Sequence, residues 1–265
     1  SDKANQPMLS DDNNFVLIFN GELYNFETLK EKLIPKGHIF YSNSDTEVVL
    51  AAYIEWGIDC LKNFEGMFAF AIYDIRKSRI FMGRDISGEK PLYYYKDKNH
   101  FICSSELKPI LKYPGLKRSI NYNALDGFLS SGYFDNEQTI IKNVSKLKPA
   151  HFLIYDLKSR DLYLDKYWSI PEYKNESFNL SKQDLICSLD NLIDQSVKKQ
   201  IVADVPIGIL LSGGLDSSII AAKASQYVSK INTYNVRFSQ NNQYDESSYA
   251  KKISNFFNTE HHELD

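Results

Sequence analysis

The residues with the clearest chemical potential form one short run, Ser212-Gly213-Gly214-Leu215-Asp216-Ser217-Ser218. The run stands between an apolar segment predicted as a strand, Ile207 to Leu211, and a predicted helix, Ser217 to Tyr227. Glycines let the backbone approach an anion closely, and a helix start offers unpaired N–H groups at the positive end of its dipole. The serine hydroxyls add donors, and Asp216 could help hold a magnesium ion on the phosphates. The pattern therefore predicts a phosphate-binding loop.

This run differs from the two commonest nucleotide-binding motifs. It contains neither G-x-x-x-x-G-K-S/T nor G-x-G-x-x-G, so a Walker loop and a dinucleotide fold are unsupported. The plainer interpretation is a tight turn in which Asp216 caps the following helix. The glycines and serines beside a buried strand favour the phosphate-binding loop over that turn.

A second set of polar residues lies near the start of the sequence. Asn20-Gly21-Glu22 follows a predicted strand, Phe15 to Phe19, and Ser44-Asp45-Thr46-Glu47 opens a predicted helix that ends at Trp56. Asn-Gly is also the commonest hairpin turn, and Ser44 with Glu47 has the spacing of a capping box, which would make Asp45 a helix start. Taken alone, these motifs leave both interpretations open.

The elements that must position these residues are of two kinds. Hydrophobic patterning first predicts short strands with two helices, and then helices that alternate with strands. The first group comprises strands Phe15–Phe19, Phe68–Tyr73, Ile80–Gly83, Leu92–Tyr95, Phe101–Cys103, His151–Tyr155 and Leu162–Tyr167, and helices Phe26–Leu33 and Thr46–Trp56. The second comprises Leu180–Val202, Ile207–Leu211, Ser217–Tyr227, Ile231–Phe238 and Asp245–Phe256, after a polar stretch, Ser169 to Asn179, predicted as a linker. Since alternating strands and helices imply a parallel sheet, the predicted fold class is α+β followed by α/β.

Two of these elements carry a prediction about burial. The long helix from Leu180 to Val202 is amphipathic, and its apolar residues on one side are Leu185, Leu189, Leu192, Ile193 and Val197. The strand Ile207 to Leu211 is apolar throughout, which is typical of a strand buried on both faces of a parallel sheet.

Composition limits the partners that the chain can be expected to have. Lys and Arg total 31 and Asp and Glu total 34, giving a net charge of −3. These charges are interspersed, which argues against a nucleic-acid track or a basic membrane face. The apolar runs are too short to span a bilayer, and the three cysteines have neither metal-site nor disulfide spacing. We therefore expect a cytoplasmic protein.

The run at 212–218 resembles the PP-loop of ATP pyrophosphatases, which activate a carboxylate or carbonyl as an adenylate and release pyrophosphate. The resemblance implies ATP with Mg²⁺, gripped at the pyrophosphate end by Ser212 to Ser218. It also implies that Leu211, before the loop, and Val236, on the next strand, contact the adenosine. Since tRNA-modifying and NAD-making enzymes share the loop, it implies the chemistry and not the substrate.

The first part of the chain resembles the glutaminase domain of class II amidotransferases of the asparagine synthetase B type. The motifs that carry the resemblance are Ala4–Met8, Asn20–Asn25, Ser44–Glu47, Gly66–Ala71, Arg84–Asp85, Gly88, Lys90–Tyr93 and Ser105–Lys108. The resemblance implies an Ntn-hydrolase-type αββα sandwich at 1–170 and the start of a PP-loop synthetase domain at 180–265. Asn20 (side-chain amide) and Gly21 (N–H) then form the oxyanion hole for glutamine, and Glu22 and Asp45 bind its α-ammonium. Arg84 to Tyr93 is interpreted as mainly structural.

The resemblance also indicates residues that this sequence does not contain. The family nucleophile is an N-terminal cysteine. Ser1 does not match it because Ser1 lies shortly before Asn5 to Met8, a stretch that in the family comes well after the catalytic terminus. Neither Cys60, Cys103 nor Cys187 occupies the nucleophile position, and the later synthetase residues of the family lie beyond Asp265. We therefore expect an internal fragment that is inactive alone in both half-reactions.

The function implied for the parent protein is that of a glutamine-hydrolysing asparagine synthase. Such an enzyme amidates L-aspartate through a β-aspartyl-AMP intermediate, using ATP and ammonia from glutamine, without a nucleic-acid or membrane partner; a homodimer stays open. The alternatives are a relative that acts on another carboxylate, such as a β-lactam synthetase-like protein, and a non-catalytic nucleotide-binding module. A tRNA-modifying enzyme is disfavoured because nothing basic accompanies the loop.

Overall fold

A computed structural model describes residues 5–135, 137–172, 180–203, 205–237 and 245–264. The chain divides into two compact units, residues 1–173 and 174–265. The predicted linker, 169–179, lies largely outside the described residues.

The first unit contains nine described strands and four α-helices. The strands are β1 (Met8–Leu9), β2 (Phe15–Leu23), β3 (Gly66–Asp74), β4 (Arg79–Arg84), β5 (Tyr93–Lys96), β6 (Phe101–Ser104), β7 (Val144–Lys146), β8 (His151–Asp156) and β9 (Leu162–Lys166). The helices are α1 (Phe26–Leu33), α2 (Asp45–Trp56), α3 (Leu107–Leu111) and α4 (Tyr122–Ser131), with short 3₁₀ turns at Ile34–Lys36 and Gly57–Asn63. One antiparallel sheet has the order β1-β2-β3-β4-β8-β9, and a second has the order β6-β5-β7.

These elements form four layers in the order helix, sheet, sheet, helix. Alternate residues of β2, such as Leu17, point to one face and join the core that contains Val48 and Val49 of α2. The opposite face of the same sheet carries Ala69, Ala71 and Met82, which pack against residues of the second sheet. On the far side of that second sheet, Ile110 of α3 packs in a core with Tyr95 and Val144. The predicted αββα sandwich is confirmed.

The second unit is built on a parallel sheet. Its elements are α5 (Lys182–Gln200), β10 (Gly208–Leu210), α6 (Leu215–Ala224), β11 (Asn232–Val236), α7 (Ser247–Phe257) and β12 (Glu260–Leu264). The strands lie in the order β10-β11-β12, all parallel. The alternation of strands and helices therefore predicts this architecture correctly, whereas β12 went unpredicted. Other predicted elements are present with ends moved by a few residues, and Phe238 lies outside the described residues.

The burial predictions for this unit are only partly right. Ile209 is buried, but Leu210 is 78% exposed, so the strand is not buried on both faces. The reason is that the described helices share one core with Ile209, Leu211, Ala221 and Ala250, which lie on the same side of the sheet.

The apolar side of α5 is likewise covered by the core only toward the C-terminal end of the helix. Ile193 and Val197 belong to the core of the second unit, whereas Leu185, Leu189 and Leu192 are exposed among the described residues. The amphipathic pattern therefore marks the helix correctly without fixing how much of its apolar side is covered.

Candidate functional site

Asn20, Gly21 and Glu22 lie inside a strand. β2 continues four residues beyond the predicted end at Phe19 and pairs with β3 throughout, which places Gly21 opposite Phe68. The interpretation of Asn-Gly as a hairpin turn is therefore wrong. A Cβ on Gly21 would stand 2.2 Å from the Met67 carbonyl oxygen, so glycine serves a close strand approach here.

The partner strand fixes the direction of the Gly21 backbone. Asp85 donates its N–H to the Phe68 carbonyl at 2.8 Å, and its Oδ2 accepts from the Phe68 N–H at 3.2 Å. Phe68 thus directs both backbone groups toward the β4 side and away from β2. The Gly21–Phe68 pair is a non-hydrogen-bonded pair of the antiparallel ladder, so the Gly21 N–H points to the outer edge of β2.

The neighbouring N–H groups on this outer edge are held by side chains. The Phe19 N–H donates to Gln6 Oε1 at 2.7 Å, and the Leu23 N–H donates to Asp45 Oδ2 at 3.0 Å. In the part of the chain that the structure describes, β1 covers this edge only at Val16 and Leu17 and does not reach Gly21. The Gly21 N–H therefore points out of the sheet edge, between the side chains of Gln6 and Asp45.

Asn20 and Glu22 share one face of β2. Both side chains are exposed, whereas those of Phe19 and Leu23 are buried on the opposite face. Because side chains alternate along a strand, the Asn20 amide and the Glu22 carboxylate flank Gly21 on the same side of the sheet.

Asp45 reaches the same end of β2 from the start of α2. It is the first residue of that helix, and Ser44 caps the helix by accepting from the Thr46 N–H at 3.2 Å. Glu47 does not close a capping box; its carboxylate accepts from the N–H groups of Tyr41 and Ser42, at 2.8 and 2.9 Å. Asp45 therefore does start the helix and Ser44 does cap it, as the alternative interpretation has it, but the box itself is not closed.

The bond between Asp45 and the Leu23 N–H places the Asp45 carboxylate beside the residue that follows Glu22. Burial raises the pKa of Asp45 above its usual range, while hydrogen bonds from Leu23 and Thr46 act in the opposite direction. Two carboxylates at one strand end form a negative site that suits an ammonium group.

The turn after β4 is ordered by Arg84 and Asp85. Arg84 donates to the carbonyls of Lys90, Leu147 and Gly88 at 2.7, 2.5 and 2.5 Å. This agrees with the structural role expected for the segment from Arg84 to Tyr93.

The loop at 212–218 joins β10 to α6 in the second unit. Gly213 has φ +81°, and a Cβ there would lie 2.5 Å from the Tyr249 carbonyl carbon of α7. Gly214 is the N-cap of α6 and makes no side-chain cap bond, so the interpretation of Asp216 as the cap is wrong. Gly213 is thus set by the backbone path, whereas a Cβ on Gly214 would meet only Ser212 Oγ at 3.3 Å. Asp216 lies exposed in the first helical turn.

Donors converge at the start of α6. The first intrahelical bond runs from the Ser218 N–H to the Gly214 carbonyl at 3.1 Å, which leaves the N–H groups of Leu215, Asp216 and Ser217 without a helical acceptor. Ser212 Oγ lies 3.0 Å from Ser217 Oγ, so the two hydroxyls are neighbours at the start of the helix. The Ser218 hydroxyl oxygen is buried and has no hydrogen-bond partner among the described residues. This arrangement can bind an anion.

Leu211 and Val236 lie on opposite faces of the sheet. The Leu211 side chain is buried in the helix-side core, and its carbonyl accepts from Asn235 Nδ2 at 2.9 Å. Val236 ends β11 and is 52% exposed. Leu211 can therefore present only its backbone at the loop, whereas Val236 offers its side chain.

The cysteines of this sequence are not placed for catalysis. Burial raises the pKa of Cys60 far above its usual range and the pKa of Cys103 to about 11, so both thiols stay protonated at neutral pH. Cys187 lies exposed on α5 in the second unit. Within the described ranges, no group of three or more His, Cys, Asp or Glu side chains could hold a metal. None of the described helices is both long and apolar enough to cross a bilayer.

Comparison with known proteins matches each of the two units to a family. Residues 1–168 match the glutamine amidotransferase domain family, and residues 188–265 match the asparagine synthase family. A provisionally named glutamine-hydrolyzing asparagine synthetase 2 of Methanocaldococcus jannaschii is 40% identical over 93% of this chain and 47% of its own length. Asparagine synthetase 3 (glutamine-hydrolyzing) of Bacillus subtilis is 34% identical over 94% of this chain and 42% of its own.

The match over residues 1–168, together with the two-sheet core, identifies the first unit as a glutamine amidotransferase domain, and the chain belongs to that family. The second unit adds the match to asparagine synthase, which is the combination found in the relatives named above. The chain spans less than half the length of these relatives.

Proposed function

We propose that this chain is part of a glutamine-hydrolysing asparagine synthase. Residues 1–170 would form its glutamine amidotransferase domain, and residues 180–265 would belong to its PP-loop synthetase domain. The observation that carries the proposal is the presence of two sites in one chain. One is the strand edge at Gly21, and the other is the phosphate-binding loop at 212–218.

The strand edge supplies groups for the hydrolysis of the side-chain amide of glutamine. Attack on that amide places negative charge on the carbonyl oxygen, which the Asn20 side-chain amide and the Gly21 N–H stabilise. Glu22 and Asp45 bind the α-ammonium of the same substrate through charge-assisted hydrogen bonds. The nucleophile implied by the family is an N-terminal cysteine, whose own amine acts as the base.

The loop from Ser212 to Ser218 binds the pyrophosphate end of ATP. The N–H groups at the start of α6 and the serine hydroxyls supply the donors, and the buried hydroxyl of Ser218 gains a partner when an anion binds. The backbone of Leu211 and the side chain of Val236 border the adenosine.

A magnesium ion fits this loop. Mg²⁺ is usually held by one or two carboxylates together with substrate phosphates, so the single exposed carboxylate of Asp216 suffices on the protein side. When bound, the ion would neutralise charge on the phosphates.

The two sites account for one overall reaction. A carboxylate is a poor electrophile, so the β-carboxylate of aspartate first attacks the α-phosphorus of ATP, forming an acyl adenylate and releasing pyrophosphate. Ammonia from glutamine then attacks the activated carbonyl and displaces AMP, which yields asparagine. We further propose that the protein works in the cytoplasm, where the cysteines stay reduced.

The test is pyrophosphate exchange in the protein made from the complete reading frame that encodes this chain. We expect exchange of labelled pyrophosphate into ATP that depends on aspartate, and asparagine formation with either glutamine or ammonium as nitrogen donor. Exchange with a different carboxylate but not with aspartate would replace the acceptor and favour a β-lactam synthetase-like relative. Nucleotide binding without exchange or glutamine hydrolysis would instead favour a non-catalytic module.

A further inference from the structure

The proposed glutamine site makes no direct use of Asp85, yet the carboxylate of this residue accepts three backbone hydrogen bonds close to Gly21. Asp85 follows β4 and is only 1% exposed. Its Oδ2 accepts from the N–H groups of Phe68 and Lys90 at 3.2 and 3.0 Å, and its Oδ1 accepts from the Glu89 N–H at 2.9 Å. Its own N–H donates to the Phe68 carbonyl at 2.8 Å.

These bonds extend the β3–β4 ladder by one residue. The last regular pair joins Ala69 to Arg84, and Ala69 lies opposite Asn20 on its other side. The next pair along the ladder is Gly21 and Phe68, and β4 itself supplies no partner for Phe68 on the other side. Asp85 supplies that partner, through its backbone N–H on one side of Phe68 and its side chain on the other.

The direction of the Gly21 N–H depends on this row. In an antiparallel ladder, a residue bonds either to one neighbouring strand or to the other, and opposite residues alternate between the two kinds of pair. The β2–β3 register directs the Gly21 N–H outward, and Asp85 holds Phe68 in that register by bonding to both of its backbone groups. Without the carboxylate, the Phe68 N–H would lack its acceptor, and the buried donor would draw the strand toward another arrangement.

The same turn approaches the glutamine residues from a second direction. Burial raises the pKa of Tyr24, and the nearby carboxylates of Glu89, Glu22 and Asp85 raise it further. The turn after β4 and Glu22 are therefore both near enough to Tyr24 for their charges to act on its phenol. A displaced turn would change the surroundings of Glu22 as well as those of Phe68.

We propose that Asp85 is a positioning residue for glutamine hydrolysis, which holds Phe68 so that the Gly21 N–H is aimed at the developing oxyanion. This inference rests on the proposed function of the Gly21 edge. Asp85 would then lower the barrier to glutamine hydrolysis, in addition to holding the turn after β4 in place.

The test is Asp85→Asn in the protein made from the complete reading frame, with Asp74→Asn as the matched control. Asp74 is also 1% exposed and lies at the opposite end of β3, where it faces Phe15 and accepts from the Lys77 N–H and from the Tyr53 hydroxyl, both at 3.1 Å. It also pairs with Arg79 at 3.5 Å, so Asp74→Asn weakens an ion pair in addition to removing an acceptor. Each substitution keeps the side-chain size and removes one acceptor oxygen from a buried turn. Only the substitution at 85 touches the row that contains Gly21.

Three rates separate positioning from a loss of folding. They are glutamate release from glutamine, asparagine formation from glutamine, and asparagine formation from ammonium. For Asp85→Asn we expect kcat of glutamate release to fall about 10- to 100-fold, less than the loss on deleting an oxyanion donor outright. KM for glutamine and the ammonium-dependent rate should stay within about threefold of the wild type, as expected when an interaction made only in the transition state is lost. Asp74→Asn should leave all three rates unchanged in the folded protein.

Equal effects of the two substitutions on kcat would overturn the proposal, and so would an unchanged kcat in Asp85→Asn. A wild-type protein that releases glutamate but forms no asparagine would remove the proposed acceptor and still test Asp85. A wild-type protein that releases no glutamate would overturn both the glutaminase function and the role of Asp85.

Discussion

Gly213 is constrained twice, so its replacement by alanine gives a sharp test of the loop. Its φ of +81° lies in the left-handed region, and a Cβ would stand 2.5 Å from the Tyr249 carbonyl carbon and 2.6 Å from the Ala250 nitrogen. Both of these atoms belong to the backbone of α7, which cannot yield as the end of a flexible side chain can. The adjacent Gly214 has φ −70°, and its nearest contact would be Ser212 Oγ at 3.3 Å.

The expected size of the effect follows from these two constraints. A left-handed conformation costs a non-glycine residue about 1–2 kcal/mol, and an added methyl group in a packed site costs about 1–3 kcal/mol more. Gly213→Ala should therefore lower the free energy of unfolding of the second unit by about 2–5 kcal/mol, whereas Gly214→Ala should lower it by less than about 1 kcal/mol. The loop and α7 must also separate, so affinity for ATP should fall with stability.

Urea unfolding of both variants, in the protein made from the complete reading frame, measures the stability difference. Equilibrium binding of ATP at low urea measures the second effect. The wild type and Gly214→Ala serve as the paired references, because the two glycines are neighbours in the same loop. Equal midpoints for the two variants would refute the assignment of Gly213 to a left-handed contact with α7.

Three further substitutions test the glutamine edge. Asn20→Ala should lower kcat for glutamate release by about 100- to 1000-fold and leave ammonium-dependent synthesis unchanged; steady-state assays with both nitrogen donors check this, and equal losses would count against the oxyanion role. Asp45→Asn should raise KM for glutamine. Because burial raises the pKa of Asp45 and only the ionised carboxylate pairs with an ammonium, wild-type KM should fall as pH rises through that raised pKa. This fall should be absent in Asp45→Asn, whose melting temperature should not drop because burial already disfavours the charged form. Gly66→Ala would place a Cβ 2.2 Å from the Glu22 carbonyl oxygen; it should cost about 1–3 kcal/mol in urea unfolding, and an unchanged midpoint would contradict the close approach of β2 and β3.

The sequence predicts the elements best where the signal is periodic and continuous. Helix α2 and strand β3 are found with small shifts at their ends, because each has a long apolar pattern. Helix α4 was missed although Asn121 caps its start and Gly132 ends it with φ +81°. Only Ala124 of this helix is buried, so the apolar periodicity that usually marks a helix is weak there.

Burial is harder to predict than the type of element. The apolar strand around Ile209 predicts a parallel sheet correctly, but the exposure of Leu210 depends on which faces the helices cover. That depends on packing between elements distant in sequence, which a local run of apolar residues does not encode.

The two candidate sites differ in how much of each can be predicted from local sequence. At 212–218, the strand, glycines and helix start are consecutive, so one segment indicates the loop, although the contact of Gly213 with α7 depends on a distant part of the chain. Local propensity misleads at Asn20 and Gly21, because the pair favours a turn while the structure has a paired strand. What directs the Gly21 N–H outward is the row of Gly21, Phe68 and Asp85, whose members come from three different parts of the chain. A motif that spans Asn20 to Glu22 can therefore identify the Gly21 N–H as a candidate donor, but the direction of that N–H is determined by the sheet.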